Sequence, residues 1–442
     1  MAFLEKAFGF NPKEHKVGTE VVAGITTFLT MAYILAVNPS IFGALEGMGM
    51  PTDSVFTATA LAALVATFVM AFLAKKPFGL APGMGLNAFF VFTVCLTYGY
   101  SWQFALTAVF IEGIIFIILS ATNVRTWILN SIPVSLKNAI GAGIGLFIAF
   151  IGLQNSHLVV DNASTLVGLG DICHGEGLLT VIGLVISSVL VMLHIRGGIL
   201  IGILITAIIG IPMGITSFNG IVSAPPSIAP IFMQFEWQNI FSLDMLIIVF
   251  TFLFIDMFDT MGTVIGVSQK AGFVKEDGTI DGINKIFMSD AVGTVVGACF
   301  GTSTTTTYVE SSAGVGAGGR TGLTAFSTAC CFTIALFFAP VFLAIPSAAT
   351  APSLIIVGMM MMQPATKIEW TNYRESIPAF LTMLLMPCCY SISDGILIGM
   401  IAYVLMFALS GKVKQITPTM WVLAILFIAR YIVMFSYTPS AM

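Results

Sequence analysis

The chain has 442 residues, 57% of them hydrophobic and 9% charged, with a mean hydropathy of +1.01. Soluble domains carry about 25% charged residues, so composition excludes a water-soluble core. A formal net charge of −4 is too small to point to nucleic acid or an acidic partner, and no nucleic-acid partner is expected.

At the N-terminus, Glu5, Lys6, Lys13 and Glu14 are not followed by a short apolar core and a small-residue cleavage site, so no removable signal peptide is expected. Apolar blocks then follow at 20–43, 55–74, 80–97, 104–120, 137–152, 178–195 and 199–214. After a connection with Pro225, Pro226 and Pro230 they resume at 244–266, 285–300, 307–317, 322–344, 352–363, 377–391 and 394–410. A bilayer crossing takes about 20 apolar residues, so the chain reads as an all-α polytopic membrane protein of fourteen spans, embedded in the lipid bilayer. The block 419–436, which contains Arg430, is left over and reads as a lipid-contacting or interfacial helix.

The basic residues support the count. Lys6, Lys13 and Lys16 precede the first span, Lys75 and Lys76 follow the second, Arg125 and Lys137 the fourth, and Arg196 the sixth. Lys270, Lys275 and Lys285 follow the eighth, Arg320 the tenth, Lys367 and Arg374 the twelfth, and Lys412 and Lys414 the fourteenth. The alternate connections 44–54, 98–103, 153–177, 215–243, 300–306, 345–351 and 391–394 contain no Lys or Arg. Cytoplasmic loops are the basic ones, so the N-terminus is placed in the cytoplasm and the protein in the plasma membrane, the inner membrane of a cell that has two.

Fourteen spans split at 216–243 into repeats of seven, 1–215 and 244–410, followed by a tail, 411–442. An odd number of spans per repeat makes the repeats inverted. Asn87 lies 67 residues after Glu20 (87 − 20), and Glu310 lies 66 after Asp244 (310 − 244). The third block opens on Pro77, Gly79, Pro82, Gly83 and Gly85, and cannot be helical throughout. The tenth opens on the run Thr302 to Thr307, with Ser303 inside it, which favours extended backbone, and then passes Tyr308, Val309 and Glu310 into a Gly-rich stretch. Short extended segments followed by late, short helices are therefore expected in spans 3 and 10. Paired interruptions of this kind in inverted repeats point to a transporter's substrate site.

Ionisable side chains inside apolar spans are costly and mark function. Glu112, Asp256, Asp259 and Glu310 are of this kind. The i, i+3 spacing puts Asp256 and Asp259 on one helical face with Cβ atoms about 5–6 Å apart, and two buried carboxylates that close make one of them a proton carrier. Glu310, at the start of the tenth helix, would face free N–H groups and the positive end of the dipole. A carboxylate that accepts from the N–H edge of a heterocycle, beside free backbone amides, suits a nucleobase. Asn87 is the matching polar group of span 3, Phe89 offers a ring for stacking, and Glu112 and Glu310 join the two aspartates as candidates for proton coupling.

The seven cysteines, Cys95, Cys173, Cys299, Cys330, Cys331, Cys388 and Cys389, lack C-x-x-C spacing and read as small packing residues. A metal site through Asp171, Cys173 and His174 is disfavoured, and no metal or cofactor is expected. An enzyme is disfavoured as well, since no metal-ligand cluster, nucleophile elbow or phosphate loop is present.

Four segments carry a family resemblance. They are Val17-Gly-Thr-Glu-Val-Val-Ala-Gly-Ile-Thr-Thr-Phe28-Leu-Thr-Met-Ala-Tyr33, Ala81-Pro-Gly-Met-Gly-Leu-Asn87-Ala-Phe-Phe90, Asp256-Met-Phe-Asp259-Thr-Met-Gly262-Thr263 and Tyr308-Val-Glu310-Ser-Ser-Ala-Gly314. Together they resemble the AzgA-like purine permeases of the nucleobase–cation symporter-2 group, over almost the whole chain. The resemblance implies a uracil-permease-like fold of seven plus seven inverted spans. Spans 1–4 and 8–11 would form a core domain, and spans 5–7 and 12–14 a gate domain through which a homodimer forms. It implies proton symport of adenine, guanine or hypoxanthine, with the base held by Asp256 or Asp259, Glu310 and Asn87. Thr26, Phe28, Phe89, Tyr308, Val309 and Ser311, in or beside the same motifs, are further candidates to line the site.

The xanthine and uracil branch carries an Asn after the acidic residue of span 10 and then a Thr-Arg pair. Here Ser311 and Ser312 follow, and Arg320-Thr321 stand in reverse order, which weakens a xanthine or uracil assignment. The alternative is an anion transporter or channel of the same plan. Three acids and no Lys or Arg in the candidate site speak against it.

Overall fold

The structure, a computed structural model, describes residues 2–121, 132–218, 220–238, 240–274 and 280–437. Arg125 and Lys275 lie outside the described residues, and the Arg430 side chain lies outside them too.

Helices account for nearly all the regular structure, as the apolar blocks require. In chain order they are α1 Ala2–Phe8, α2 Val17–Met31, α3 Ile34–Phe42, α4 Thr52–Val69, α5 Met84–Ala88, α6 Trp102–Ala121, α7 Val134–Asn155, α8 Gly175–Met192 and α9 Gly198–Gly210. The second half supplies α10 Leu243–Ala271, α11 Ile283–Phe300, α12 Ser311–Gly316, α13 Gly322–Ala335, α14 Ala339–Leu343, α15 Ser347–Met361, α16 Tyr373–Cys388, α17 Ile392–Leu409 and α18 Pro418–Tyr437. Four short strands join them: β1 Leu80–Pro82, β2 Val159–Asn162, β3 Leu166–Leu169 and β4 Thr305–Thr307. Among the described residues ten helical segments are long and apolar enough to cross a membrane, and Met84–Thr97 and Gly198–Gly210 are shorter apolar helices. Each of the fourteen apolar blocks has a helical counterpart. The leftover block is the helix α18, packed on α17.

Contacts divide the chain into two compact units, residues 1–121 with 151–356 and residues 122–150 with 357–442. In the first unit, span 1 is interrupted: α2 ends at Met31, and a turn at Ala32 and Tyr33 leads into α3. Close approach of α2 to α13 depends on Gly24, where a Cβ would lie 2.4 Å from the Thr324 carbonyl oxygen and 2.5 Å from the Ser327 Cβ. Small residues at such crossings let backbones touch where lipid offers no hydrophobic gain for association. The prolyl connection between the repeats is stapled to this unit. Ser54 Oγ donates to the Ser227 carbonyl (2.8 Å), Thr57 Oγ1 to that of Pro226 (2.9 Å), and Met233 N to that of Cys299 (2.8 Å).

In the second unit, Ala139, Ala142, Ile368, Ala379 and Met383 form a buried cluster. Helices α16 and α17 each start on a side-chain cap, Asn372 accepting from Arg374 N (3.3 Å) and Ser391 from Asp394 N (3.2 Å).

Candidate functional site

The site is built where the two interrupted spans meet. The extended segments expected separately in spans 3 and 10 pair with each other: β1 runs antiparallel to β4, with Leu80 opposite Thr307, Ala81 opposite Thr306 and Pro82 opposite Thr305. The ladder is prolonged at both ends, by Gly83 N to the Thr304 carbonyl (3.0 Å) and Tyr308 N to that of Gly79 (2.9 Å). Pro82 has no N–H to contribute, and it stands where the strand gives way to α5. Thr67 closes the outer edge of β1, its Oγ1 accepting from Leu80 N (3.0 Å) and donating to the Leu80 carbonyl (3.1 Å). Extended backbone inside a bilayer must find all its partners within the protein, and these bonds supply them.

Side chains of the threonine-rich run tie five spans together. Asn38 Nδ2 donates to Thr302 Oγ1 (3.1 Å) and to Thr59 Oγ1 (2.6 Å). Ser303 Oγ donates to Asn87 Oδ1, Thr304 Oγ1 to Glu112 Oε2 (3.2 Å), and Thr307 Oγ1 to Asp290 Oδ1 (3.1 Å). Thr294 Oγ1 donates to the Thr305 carbonyl (3.2 Å). Asn87 and Glu112 are therefore fully buried and hydrogen-bonded to neighbouring positions of one segment.

Beside this frame the carboxylates part company. Glu310 stands at the first residue before α12 but makes no side-chain cap to that helix. Its Oε1 instead accepts from the Tyr33 hydroxyl at 2.6 Å, and its backbone carbonyl from Thr30 Oγ1 at 3.4 Å, both from the interrupted span 1. Asp259 is half-buried and lies within electrostatic range of Glu310, Tyr33 and Tyr308. Asp256, fully buried, turns to a different neighbour. Thr260 Oγ1 lies 3.0 Å from Asp256 Oδ1 and 2.6 Å from Asp290 Oδ2, joining α10 to α11. Three residues of α-helix leave about 60° between side chains, enough to give the two aspartates separate partners on one broad face.

The other sequence candidates are placed as follows. Tyr308 is buried and donates its hydroxyl to the Pro82 carbonyl (2.6 Å). Ser311 is buried, and its Oγ accepts from Gly79 N (2.9 Å), which makes it a clamp on β1. Thr26 is buried and donates to the Val22 carbonyl (2.8 Å). Phe28 meets Phe332 edge to face with centroids 5.1 Å apart, and Phe89 meets Phe252 in the same manner at 4.7 Å, so both rings are engaged in packing. Val309 is exposed. Outside the bundle, Asp171 Oδ1 accepts from Cys173 N (2.8 Å) and Oδ2 lies 3.0 Å from His174 Nδ1, a local turn in the connection 153–177.

Three residues were not singled out from sequence. Asp290 lies in a predicted span, but only five residues after Lys285, where it reads as interfacial. Tyr33 reads as one more aromatic in an apolar run. Glu20 served only as a repeat marker. Its buried carboxylate accepts from Arg320 N (3.1 Å) and Thr321 N (3.2 Å) at the start of α13, where an anion also meets the helix dipole.

Two interrupted spans meeting at membrane depth, with carboxylates converging on the break, define a multi-pass membrane transporter. The fold agrees with solved transporter structures. The transmembrane domain of a cyanobacterium bicarbonate transporter, BicA, aligns over 87% of this chain and 97% of its own with a TM-score of 0.60 at 17% identity. SLC26A9 aligns over 92% of this chain and 69% of its own with a TM-score of 0.65 at 12% identity. These likenesses bear on the fold, which is that of seven plus seven inverted spans.

Residues 18–398 match the Xan_ur_permease model, described as a permease family, and the chain belongs to that family. The guanine/hypoxanthine permease PbuG of Bacillus subtilis (strain 168) is 45% identical over 97% of this chain and 99% of its own. The adenine permease AdeP of Escherichia coli (strain K12) is 39% identical over 97% of this chain and 96% of its own. The resemblance read from the four motifs is thus matched along nearly the full length.

Proposed function

We propose that this protein imports a purine nucleobase, adenine, guanine or hypoxanthine, across the plasma membrane by proton symport. The observation that carries the proposal is the Glu310 carboxylate, held by the Tyr33 hydroxyl beside the paired strands of the two interrupted spans, with Asp259 within electrostatic range of it. A purine presents N–H donors and ring acceptors along one rigid edge. A carboxylate takes the donors, and hydroxyl groups such as those of Tyr33 and Tyr308 can serve the acceptors. The names of the relatives at 39–45% identity support the same substrate class.

Asp259 and Glu310 are the proposed direct ligands. Asp256 and Asp290 are assigned to the proton. One hydroxyl hydrogen on Thr260 faces two carboxyl oxygens, and a proton carried by either acid completes that set. Glu112 and Asn87 hold the threonine-rich segment against spans 3 and 4, through which the pair and the ligand site are joined. In this scheme the N-terminus is cytoplasmic, the core and gate divide as spans 1–4 with 8–11 and spans 5–7 with 12–14, and the protein works as a homodimer through its gate.

Uptake of radiolabelled adenine, guanine, hypoxanthine and sulfate in permease-deficient cells, with and without a protonophore, tests the proposal. Purine uptake abolished by the protonophore is expected. Sulfate uptake without purine uptake would replace it with an anion transporter, and purine uptake indifferent to the protonophore would remove proton coupling alone.

A further inference from the structure

A cavity of about 530 Å³ lies in the first unit, bounded by the end of span 1, the end of α7 and the connection before α15. Its walls are drawn from 36–52, 154–157 and 342–347. The connections represented there, 44–54, 153–177 and 345–351, are among those without Lys or Arg, so the cavity opens at the end of the bundle remote from the basic loops. Its size falls within the range of about 300–1,000 Å³ usual for small-molecule sites.

The lining is chemically specific. Gln154 and Asn155, both half-buried, point to hydrogen-bonding from outside the chain, because neither carboxamide has a partner among the described residues. Glu46 adds a carboxylate, one oxygen of which accepts from Thr52 Oγ1 (3.3 Å). Pro39, Phe342 and Pro346 supply apolar faces between these polar groups. A carboxamide carries a donor and an acceptor side by side, which is the arrangement that reads a purine edge in two-point fashion. A carboxylate accepts from a ring N–H, and flat apolar walls take the ring faces. An inorganic anion would find the Glu46 carboxylate here and no Lys or Arg among the lining residues, and the imidazole of His157, also in the wall, faces the Glu176 carboxylate at 3.5 Å.

One helix links the cavity wall to the proposed transport site. Tyr33, which holds Glu310, immediately precedes α3, and Ala36, Pro39 and Ser40 of that helix line the cavity. At 1.5 Å per residue they lie about 5–10 Å further along the axis. We infer that the cavity is a second, weaker purine site on the outer face, an antechamber in which Gln154 and Asn155 take the base before it passes along α3 to Glu310 and Asp259. The inference rests on the purine reading above and adds to it a site remote from the carboxylates.

Equilibrium binding of radiolabelled hypoxanthine, guanine and adenine to the purified full chain separates the two sites. The native protein is expected to bind with a tight and a weak component. Glu310→Gln should lose the tight component and keep the weak one. Adding Gln154→Ala and Asn155→Ala to that variant should abolish the remainder. In the otherwise native chain, Gln154→Ala with Asn155→Ala should keep the tight component, which also shows that the variant is folded. Uptake KM should then rise about 5- to 20-fold with Vmax within twofold, the loss expected for two neutral hydrogen bonds. A Glu310→Gln protein with no weak component, a weak component that survives the amide substitutions, or an unchanged uptake KM would each overturn the antechamber while leaving the central site standing. A native protein that binds no purine at all would instead remove the reading on which the antechamber depends.

Discussion

Replacing Tyr33 by Phe removes one oxygen and leaves the ring in its buried place, where the residue is 1% exposed. The lost group is the donor at 2.6 Å to Glu310 Oε1. Without it the glutamate regains rotamers that a bound purine must freeze again, at a cost of about 1.5–2 kcal/mol. At about 1.4 kcal/mol per tenfold in Kd, purine affinity should fall roughly 10- to 30-fold. The bond itself, made to a charged group, contributes about 1.5–3 kcal/mol to stability, so the variant should also unfold at a lower temperature. Equilibrium binding on the purified protein reads the first effect and a thermal scan in the same detergent reads the second. Tyr308→Phe is the comparison, because that hydroxyl serves the Pro82 carbonyl and not a carboxylate. A folded Tyr33→Phe protein that binds purine within twofold of the native Kd would refute the idea that span 1 aims Glu310 at the substrate.

Asp290→Asn should separate coupling from binding. It leaves Glu310 and Asp259 untouched, so purine affinity should stay within about threefold, less than 1 kcal/mol, while uptake driven by an imposed pH gradient should be lost. Gly24→Ala would set a methyl 2.4 Å from the Thr324 carbonyl oxygen, forcing α2 and α13 apart at a cost of about 1–3 kcal/mol, visible as a lower unfolding temperature. Gly314→Ala does the same to α12, where a Cβ would lie 2.0 Å from Thr27 Oγ1 and 2.6 Å from the Ala23 carbonyl oxygen, and it should weaken purine binding because Glu310 immediately precedes α12. In the connection 153–177, the Cys173 amide and the His174 imidazole hold the Asp171 carboxyl below its usual range. The ordering this gives the turn is present at neutral pH and is lost as pH falls through the lowered folded value. The protection of the Cys173 amide, its exchange rate taken relative to an unprotected amide at the same pH, should be lost on acidification, and Asp171→Ala should leave that amide unprotected at every pH.

The division between what sequence discloses and what it conceals follows the range of the interactions. Spans are local, since twenty apolar residues in a row announce themselves, and the basic residues of the connections fix their parity. The breaks in spans 3 and 10 are local too, because Pro82 and Gly83 in one and the threonine run in the other exclude a continuous helix. That the two extended pieces pair, with Ala81 opposite Thr306, joins residues 225 positions apart (306 − 81), and nothing in either segment states its partner.

The acids were visible as acids, but their partners were not. Asp256 and Asp259 look alike in sequence, and only the packing of α10 sends one to Thr260, whose hydroxyl also meets Asp290, and sets the other within range of Glu310. Glu310 reads as a helix cap from its position, yet its carboxylate is taken by Tyr33, 277 residues away, a tyrosine that composition cannot distinguish from a packing ring. Phe89 shows the converse. Its place after Asn87 suggests a stacking surface, and the structure sets its ring at an angle against Phe252, 163 residues further on (252 − 89), a neighbour that the motif does not announce.

A high-resolution structure of the protein with guanine or hypoxanthine bound tests the site most directly. The ring edge should lie within about 2.6–3.2 Å of a Glu310 carboxylate oxygen, with Asp259 on the same ligand and Asp256 still turned to Thr260 and Asp290. A base held elsewhere in the tight site, with the Tyr33–Glu310 bond intact and both Glu310 and Asp259 out of reach of the ring, would contradict it.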